Sequence, residues 1–573
     1  MPSEFEVPGQ SASALFTLKA YRGQGMVLLA MNWKTESPPD DFVGFSIEVQ
    51  PPGQSGFFPL KNRINFRKAD GKVDMTPAAS LAAPFQKFRW VHFPHAVDVV
   101  GQFSYRVRPV FMDATNALTA GDPQQIAIDL SPETYPGELT VAFTRGFVSS
   151  QAFVDEFCPD GNVGSLIPGN ADDGPDFTPT NPKADEALAW MGFESRQQIL
   201  GLLDAAIADA TCKVRVVAYD LNERNIIDRL KMLGPRLRII IDDSGTHGDA
   251  TSAESKTADV LAGTAGADQV IRQHMRGLQH NKMIIVTGPA LNKAVCGSTN
   301  YSWRGLYVQN NNAIILEEAS AVQNCVDAWE AYWNDANAKF EKTNSPAMHP
   351  LGFADVDVSV TFSPHPKSNA MLDDIAKDVD ANTTSSLFYS LAFLYQTPGS
   401  IRSAITKITE ADDVFVYGIS DKKVGGIILQ KPDGNVAPVF PAQLSGTLPE
   451  PFKSEPSGGG GVRMHHKFIV IDFDKPTARV YMGSYNFSLA ADTKNGENLL
   501  VIKDRRIAVA YMIEALRIFD HYHFRVAQHE AADGSDGIVL LTPPRKPGDE
   551  PWWKPYYTDA HKIKDRCLFA GTA

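Results

Sequence analysis

Residues 465–472 read His-His-Lys-Phe-Ile-Val-Ile-Asp, and residues 483–486 read Gly-Ser-Tyr-Asn. The apolar alternation after Lys467 predicts a β-strand, so His465 and Lys467 should point to one face of it. A buried strand rarely carries two basic groups on one side unless an anionic group meets them there. The stretch therefore predicts an anion-binding position at the start of a buried strand.

The same pattern occurs once more, upstream. Residues 280–286 read His-Asn-Lys-Met-Ile-Ile-Val, and residues 297–300 read Gly-Ser-Thr-Asn. The two histidines, His280 and His465, are 465 − 280 = 185 residues apart, which is about one domain length. We interpret this spacing as a long internal duplication in which each half is a structural unit.

Strands and helices alternate around both copies of the pattern. The first half has predicted helices at 186–210, 223–233 and 252–262 and strands at 214–219 and 237–241; the second has strands at 358–362, 386–393 and 414–417 and helices at 371–379, 401–408 and 507–528. Such alternation is typical of layered α/β structure. The predicted fold class is therefore α/β, with two duplicated lobes.

The first part of the chain has a different pattern. Short apolar strands are predicted at 14–21, 26–33 and 42–49, and residues 103–108 alternate between apolar and polar side chains. Regular short strands with one apolar face predict an all-β sandwich. The segments around Trp33, at 88–93 and around Tyr105 resemble a fibronectin type III-like module, which would serve as a structural or docking module.

These patterns predict three domains: a β-sandwich at 1–140, a first lobe at 141–350, and a second lobe with a C-terminal tail at 351–573. The tail contains Trp552 and Trp553. We expect these aromatic side chains either to cover a cleft or to join the two halves, and joining is the interpretation we favour.

Length and composition exclude some classes of protein. The chain has 573 residues, of which 43% are hydrophobic and 21% charged, so it is globular and too long for one core. Its formal net charge of −13 argues against nonspecific coating of nucleic acid, which needs a basic surface. The N-terminus lacks the basic and apolar regions of a signal peptide, so we expect a cytoplasmic protein or one exported without a cleavable signal.

Cysteine is sparse and gives no sign of a disulfide framework or a zinc site. The chain has five cysteines at wide spacings: Cys158, Cys212, Cys296, Cys325 and Cys567. No apolar stretch at the N-terminus is long enough to span a bilayer. We therefore expect a reducing compartment, no transmembrane segment, and at most peripheral contact with a membrane.

The two copies together resemble the His-Lys-Asp motifs of the phospholipase D superfamily. The resemblance covers about residues 145–535 and rests on His-x-Lys followed by Gly-Ser-x-Asn in each half. It implies α/β/α lobes related by a pseudo-twofold axis, whose motifs meet to form one site. It also implies a phospholipid or another phosphodiester as substrate and no cofactor.

The residue types fit phosphodiester chemistry. Two lysines and two asparagines, one pair from each half, can clamp the anionic oxygens and stabilise added charge; these are Lys282, Lys467, Asn300 and Asn486. One histidine can attack phosphorus to form a phosphohistidine, while the other protonates the leaving alkoxide and then activates water or an alcohol. The lysines supply the positive charge, so no metal is expected.

The two halves differ at a position that the resemblance makes important. Glu497 lies 497 − 486 = 11 residues after Asn486, and Asn311 lies 311 − 300 = 11 residues after Asn300. The resemblance implies that a polar residue near this position holds the imidazole of its own motif. The predicted supporting residues are Ser298, Gln309, Asn311, Asp472, Ser484 and Glu497.

This difference leads to an assignment of roles. A carboxylate beside His465 would stabilise its imidazolium, whereas an amide beside His280 would leave that ring neutral. We therefore expect His280 to be the nucleophile and His465 the general acid and then base. Gln309 is a second candidate for holding His280.

The first motif departs from the pattern at one position, since Thr287 stands where the second motif has Asp472. The resemblance implies a mainly structural role for that aspartate. The loss therefore affects local rigidity more than chemistry, and an active enzyme is still expected.

Several other residues are interpreted as ordinary. Four histidines outside the two motifs are expected to be satisfied core or surface residues, namely His95, His247, His521 and His523. Asp242 and Asp243 lie at the carboxyl end of a predicted strand, where sites form in α/β sheets, but substrate contact is not the interpretation we favour. Ser457–Gly461 is interpreted as a flexible loop because it lacks the lysine and helix of a phosphate-binding loop.

The leading prediction is a metal-independent phospholipase D. It would hydrolyse glycerophospholipids to phosphatidate and a head-group alcohol, and it would also transfer the phosphatidyl group to added alcohols. One alternative is a nuclease or another phosphodiesterase of the same superfamily, which the acidic charge makes less favoured. The other is a catalytically silent scaffold or binding protein, for which Thr287 is the only support.

Overall fold

The structure is a computed structural model. It describes residues 4–68, 70–74, 76–94, 99–132, 134–146, 150–335, 339–367, 371–392, 394, 399–411, 413–421, 427–430, 436–439, 465–533 and 538–571. The predicted loop at 457–461 and His95 lie outside these residues.

The strands are β1 (Glu6–Pro8), β2 (Phe16–Arg22), β3 (Val27–Trp33), β4 (Phe42–Gln50), β5 (Phe58–Pro59), β6 (Lys61–Asn62), β7 (Ala78–Ala79), β8 (Arg89–His92), β9 (Gln102–Met112), β10 (Leu118–Ala120), β11 (Gln124–Asp129), β12 (Leu139–Phe143), β13 (Lys213–Ala218), β14 (Leu237–Ile241), β15 (Val270–Arg272), β16 (Lys282–Thr287), β17 (Asn292–Gly297), β18 (Asn312–Leu316), β19 (His349–Pro350), β20 (Asp357–Ser363), β21 (Ser386–Leu391), β22 (Phe415–Asp421), β23 (Ile427–Gln430), β24 (Val436–Val439), β25 (Lys467–Ile471), β26 (Arg479–Gly483) and β27 (Glu497–Lys503).

The α-helices are α1 (Ser150–Phe157), α2 (Ala184–Ala208), α3 (Arg224–Leu233), α4 (Ala253–Ala265), α5 (Trp303–Tyr307), α6 (Ala319–Asp335), α7 (Met371–Asn382), α8 (Ser400–Thr409), α9 (Leu489–Thr493), α10 (Arg505–Asp533), α11 (Pro555–Thr558) and α12 (Ala560–Ala570). Short 3-10 helices lie at Val163–Ser165, Ala171–Asp173, Gly234–Arg236, Gly245–Gly248, Ala267–Gln269 and Phe340–Lys342.

The chain forms two compact units. One comprises residues 132–508, and the other comprises the described residues of 3–131 together with those of 509–573. Both copies of the His-x-Lys pattern therefore lie in a single unit. The grouping differs from the predicted boundaries at 140 and 351, because the C-terminal segment belongs with the N-terminal strands.

The unit that contains the N-terminal strands is built on two antiparallel sheets. One has the order β1-β2-β3-β8 and the other β10-β9-β4-β5, with β11 also paired to β9. In β9 the apolar side chains Phe103, Tyr105 and Val107 are buried, as the alternation predicts. Buried side chains of both sheets form one hydrophobic cluster, while the likeness to fibronectin type III stays a prediction.

The aromatic tail belongs to this same cluster. Trp552 and Trp553 are both buried within it, and Trp552 stacks on Phe88 with ring centroids 5.3 Å apart. The indole N–H of Trp552 also donates to the carbonyl of Phe42 at 3.0 Å. The expectation that the tail covers a cleft or joins the two halves is therefore wrong, because both indoles fill the core beside the N-terminal strands.

The other unit contains two mixed sheets with equivalent centres. Their orders are β12-β18-β17-β16-β13-β14-β15 and β19-β20-β27-β26-β25-β21-β22-β23-β24. Six consecutive strands correspond, from β12 to β14 in the first sheet and from β20 to β22 in the second. Within each set one pair is parallel, β13 with β14 and β21 with β22, so the sequence duplication has a structural counterpart.

The helices follow the same duplication. Helices α2 and α7 precede β13 and β21, and helices α3 and α8 connect those strands to β14 and β22. The predicted helices and strands of both halves are found at these positions. This mixed α/β arrangement agrees with a phospholipase D-like α/β fold.

Each Gly-Ser-x-Asn turn is shaped by the strand beside it. Gly297 has φ +138° and Gly483 has φ +148°, a region that glycine adopts without steric cost. A Cβ at Gly297 would lie 2.7 Å from the carbonyl oxygen of Asn312. Two residues after each asparagine, Ser302 and Ser488 cap the short helices α5 and α9, so the turn fixes the asparagine between a strand and a helix.

Candidate active site

The two His-Lys pairs occupy equivalent places at the starts of two strands. Lys282 begins β16 and Lys467 begins β25, and each histidine precedes its lysine by two residues. All four side chains are buried, at 5% exposure for His280 and 3% for His465. The Lys467 ammonium donates to the main-chain oxygen of His465 at 2.6 Å, and Lys282 makes the same bond to His280. Each lysine is therefore held beside its own histidine.

Each imidazole is held by the opposite half of the unit. His280 Nδ1 donates to Glu497 Oε2 at 2.8 Å, and His465 Nδ1 donates to Asn311 Oδ1 at 2.6 Å. Glu497 was expected to hold His465, and Asn311 or Gln309 to hold His280. That pairing is wrong, because the two sheets bring each holding residue against the histidine of the other half. The crossed bonds place both motifs in one site.

The holding residues are themselves oriented in the same way in both halves. Ser298 Oγ donates to Asn311 Oδ1 at 2.9 Å, and Ser484 Oγ donates to Glu497 Oε2 at 2.7 Å. Asn311 Nδ2 donates to the carbonyl of Gly305 at 2.8 Å, which fixes its oxygen toward the imidazole. The predicted supporting role of both serines is thus to orient the acceptors that hold the two rings.

A second layer of contacts crosses between the halves. Asn498 Nδ2 donates to Asn281 Oδ1 at 3.0 Å, and Asn312 Nδ2 lies 3.4 Å from His466 Nδ1. All four side chains are fully buried. The sequence analysis missed them, although each directly follows a motif histidine or a holding residue.

Gln309, the other residue considered for holding His280, lies nearby on the chain. Its main-chain oxygen accepts a hydrogen bond from Thr144 Oγ1 at 2.8 Å, and the Nδ1 of His280 is occupied by Glu497. Gln309 is therefore a neighbour of the site whose main chain is tied to β12.

The motif asparagines keep one hydrogen-bonding atom available. Asn300 Nδ2 donates to Asp220 Oδ2 at 2.6 Å. Asn300 Oδ1 and Asn486 Oδ1 are buried atoms that accept no hydrogen bond from the residues that the structure describes. A buried amide oxygen without a donor is costly, so both asparagines are suited to meeting a ligand.

A cluster in the first half went unrecognised in the sequence. The Tyr219 ring lies with its centroid 4.7 Å from the imidazoles of both His280 and His247 and 4.7 Å from the Lys282 ammonium. His247 Nδ1 is 2.9 Å from Asp242 Oδ2, and its Nε2 is 3.3 Å from Asp220 Oδ1. His247 was expected to be a satisfied core or surface residue, and both of its ring nitrogens do have partners; the 3-10 helix after β14 also brings it beside the site. The sequence did contain one indication of this cluster, because Asp220 and Asp242 follow the carboxyl ends of two parallel strands, where ligand sites form in α/β sheets.

One group of side chains has a spacing at which a cation could be held. Ligand atoms of Asp220, His247 and Glu254 lie within 4.8 Å of one another. Glu254 Oε1 also accepts a hydrogen bond from the Leu221 amide at 3.1 Å. Within the described ranges, no other group of three histidine, cysteine, aspartate or glutamate side chains has its ligand atoms this close together.

Burial dominates the electrostatics of the motif residues. It lowers the pKa of His280, although the Glu497 carboxylate opposes the shift. Burial and the neighbouring charge of Lys467 hold the pKa of His465 well below its usual range, and burial lowers the pKa of Lys282 to about 8. Since each neutral imidazole uses Nδ1–H as a donor, its Nε2 carries the lone pair.

Asp472 has the structural role that was expected of it. Its carboxylate accepts hydrogen bonds from the amides of Thr384, Ser385 and Ser386 at 2.8 to 3.0 Å. In the first half, Thr287 Oγ1 instead accepts a bond from Arg215 at 3.3 Å. Having Thr287 in place of an aspartate therefore changes the hydrogen bonds at the end of β16 that is farther from His280.

The chain is similar to known phospholipase D-like proteins. The chain matches the family described as "Cardiolipin synthase, PLD-like domain" over residues 203–333 and 442–519. It is 46% identical over 48 residues to a phospholipase D of Rickettsia felis, which is 8% of this chain and 22% of that protein. A phospholipase D of Rickettsia prowazekii is 44% identical over the same length. The chain thus spans about a fifth of the length of the curated relatives it matches.

Among solved structures, the chain is similar to a phosphatidylserine synthase from Haemophilus influenzae Rd KW20. The identity is 14%, the match covers 66% of this chain and 93% of that one, and the TM-score is 0.39. The family match supports a place in the phospholipase D superfamily. No described helix combines the length and apolar character needed to cross a bilayer.

Proposed function

We propose that this chain is a phospholipase D of that superfamily, which hydrolyses glycerophospholipids to phosphatidate and a head-group alcohol through a phosphohistidine. The observation that carries the proposal is the pair of crossed hydrogen bonds, from His280 to Glu497 and from His465 to Asn311. They bring two imidazoles into one site beside two lysines. The phospholipid as substrate is supported by the family match and by the names of the short relatives.

The phosphate group would be bound by the charged and amide side chains of both halves. Lys282 and Lys467 supply positive charge in a buried site, where electrostatic attraction is stronger than in water. The Nδ2 groups of Asn300 and Asn486 can donate hydrogen bonds to the remaining phosphate oxygens. Because two lysines neutralise the phosphate, the reaction is expected to proceed with a chelator present.

In the first step, His280 Nε2 attacks phosphorus and the bond from phosphorus to the head-group oxygen breaks. His465 enters this step in its protonated form, with a proton on Nε2 as well as on Nδ1, and donates the Nε2 proton to that oxygen, which leaves as an alcohol. The original reason for making His280 the nucleophile fails, since the carboxylate lies beside His280. The assignment now rests on charge: the ring becomes positive when Nε2 bonds phosphorus, and the Glu497 carboxylate stabilises that charge.

In the second step, the now neutral His465 accepts a proton from water. The resulting oxygen attacks phosphorus, the bond from phosphorus to His280 Nε2 breaks, and phosphatidate is released. An added alcohol can take the place of water, which gives a phosphatidyl alcohol. We propose that the two lobes are related by a pseudo-twofold axis through this phosphorus.

The test is product analysis with phosphatidylcholine vesicles and ethanol in the presence of EDTA. Phosphatidylethanol and phosphatidate are expected from the wild type and neither from His280→Ala or His465→Ala. His349→Ala is the matched control, because the His349 imidazole bonds to the main-chain oxygen of Asn344, five residues earlier, and it should retain full activity.

Single-stranded DNA is offered in a parallel reaction. Cleavage of DNA without conversion of lipid would assign the chain to the nucleases of the superfamily instead. No product from either substrate would favour the scaffold alternative and contradict the proposal.

A further inference from the structure

We infer that Asp220 and His247 form a positioning ion pair, which orients Asn300 and cancels a negative charge that would otherwise repel the phosphate. The inference rests on the proposed binding of phosphate between the two halves. It concerns residues that have no part in bond making, and it makes the two halves of the site chemically unequal.

The contacts form a continuous chain that ends at a motif residue. Asp242 is fixed first, since its Oδ1 accepts from the Gln279 amide at 2.7 Å and its Oδ2 from the Ser244 amide at 3.0 Å. Asp242 holds His247 Nδ1 at 2.9 Å, and His247 Nε2 faces Asp220 Oδ1 at 3.3 Å.

The last link reaches the asparagine. Asp220 Oδ2 accepts from Asn300 Nδ2 at 2.6 Å, and this bond decides which end of the amide faces Asp220. Asn300 Oδ1 is left buried and without a donor among the described residues. The orientation of Asn300 is therefore set by a carboxylate whose own position depends on His247.

The charges around His247 come from three directions. Asp220 follows β13, Asp242 follows β14, and Glu254 lies on α4, while Arg272 of β15 donates to the main-chain oxygens of Asp242 and His247. Burial alone would lower the pKa of His247, but the two aspartates raise it to about 10. Both ring nitrogens of His247 face carboxylate oxygens, so both carry a proton and the imidazole is positively charged. It compensates the carboxylate that lies nearest the site.

Asp220 also lies close enough to the motif to affect phosphate. Burial acts to raise the pKa of Asp220, but the hydrogen bond and charge of His247 lower it, and the charge of Lys282 acts in the same direction. An uncompensated carboxylate at this place would oppose a phosphate held by the same lysine. His247 removes that penalty while the hydrogen bond to Asn300 is kept.

Among the described residues of the second half, no carboxylate is hydrogen-bonded to Asn486. Ala218 pairs with Lys282 in the first sheet, and Leu391 pairs with Lys467 in the second. In the sequence, Tyr219 and Asp220 follow Ala218, whereas Ala392 and Phe393 follow Leu391. The sequence position equivalent to Asp220 therefore carries a phenylalanine in the second half.

A double-mutant cycle on the full chain tests the inference, with inorganic phosphate as the probe and calorimetry as the readout. Asp220→Asn keeps an acceptor for Asn300 and removes a negative charge, so it should bind phosphate at least as tightly as the wild type. His247→Asn keeps a donor for Asp242 and leaves Asp220 uncompensated, so phosphate should bind about tenfold more weakly. The double variant, which loses both charges, should recover an affinity within about twofold of the wild type.

Two results would overturn the inference alone. A double variant that binds phosphate as weakly as His247→Asn, or more weakly, would indicate a purely structural role. A loss of wild-type phosphate affinity on adding EDTA would indicate that the cluster holds a metal. A wild type that binds no phosphate would overturn the proposed function as well.

A second measurement covers the case in which His247→Asn fails to fold. Nitrogen spectra of labelled imidazoles should show both nitrogens of His247 protonated at neutral pH in the wild type, with the pKa lowered in Asp220→Asn. A His247 that titrates like an ordinary histidine would contradict the ion pair.

Discussion

Replacing Glu497 by glutamine isolates the charge that is proposed to stabilise the phosphohistidine. The substitution keeps the size of the side chain and an oxygen that can still accept from His280 Nδ1. Both partners are buried, with side-chain exposures of 6% for His280 and 0% for Glu497. The main change is therefore the loss of a negative charge 2.8 Å from the ring, accompanied by the loss of an acceptor for Asn495 Nδ2, which lies 3.2 Å from Glu497 Oε1.

The expected size of the effect follows from this burial. Removing one member of a buried, hydrogen-bonded charge pair costs roughly 2–5 kcal/mol. The pair acquires its second charge only as Nε2 bonds phosphorus, so we take about 3 kcal/mol as the loss in the first chemical step. At about 1.4 kcal/mol per factor of ten, that step should slow about 150-fold.

The assay uses a p-nitrophenyl phosphodiester in single-turnover experiments. Nitrophenolate leaves without a proton, so the first step then depends on His280 and little on His465. Glu497→Gln should slow the release of nitrophenolate by the full factor, whereas Asn311→Ala should change it less than about threefold. Glu317→Gln is the matched control, since Glu317 pairs with Lys293 at a partly exposed position.

The reasoning would be refuted if Glu497→Gln stayed within about threefold of the wild type. Equal slowing by Asn311→Ala on the same substrate would also refute it, because the nucleophile would then be His465.

The remaining predictions concern pH and stability. Because burial holds the pKa of His465 below that of an ordinary histidine and the proton is needed by the leaving alkoxide, kcat/KM for phosphatidylcholine should already be falling as pH rises toward about 6.5 and should keep falling above it; a rate that increases over that range would contradict this. Asp472→Asn removes a charged acceptor shared by three amides, so it should lower the free energy of unfolding measured in urea by about 2–4 kcal/mol. Thr287→Asn, at the equivalent position, should lower that free energy by less than about 1 kcal/mol. Trp552→Ala should lower the stability of the unit that contains the N-terminal strands by about 3–5 kcal/mol in calorimetry, and Trp552→Phe by clearly less.

Much of the unit that carries the site was predictable, because its determinants are local. The strand that begins at Lys467 and the glycine turn before Asn486 follow from short runs of sequence. The spacing of the two copies also indicated that two similar sheets would form. These features need only the periodicity of apolar side chains and the conformational demands of glycine.

The partners of the two imidazoles were not predictable in the same way. The distance of 11 residues places Glu497 correctly on its strand, but which histidine it meets is decided by the packing of one sheet against the other. Asp220 and His247 carry no spacing signal, since a strand and a 3-10 helix from separate segments bring them together. The C-terminal tryptophans were misplaced for a related reason: an aromatic pair fills any apolar core within reach, and the sequence does not say which one.

The most direct test of the central claim is a crystal structure of the protein with orthovanadate, which mimics phosphorus at the moment of transfer. The account predicts one vanadium between the Nε2 atoms of His280 and His465, with its oxygens on Lys282 and Lys467. Vanadate bound to one half alone, or two imidazoles that face separate pockets, would contradict it.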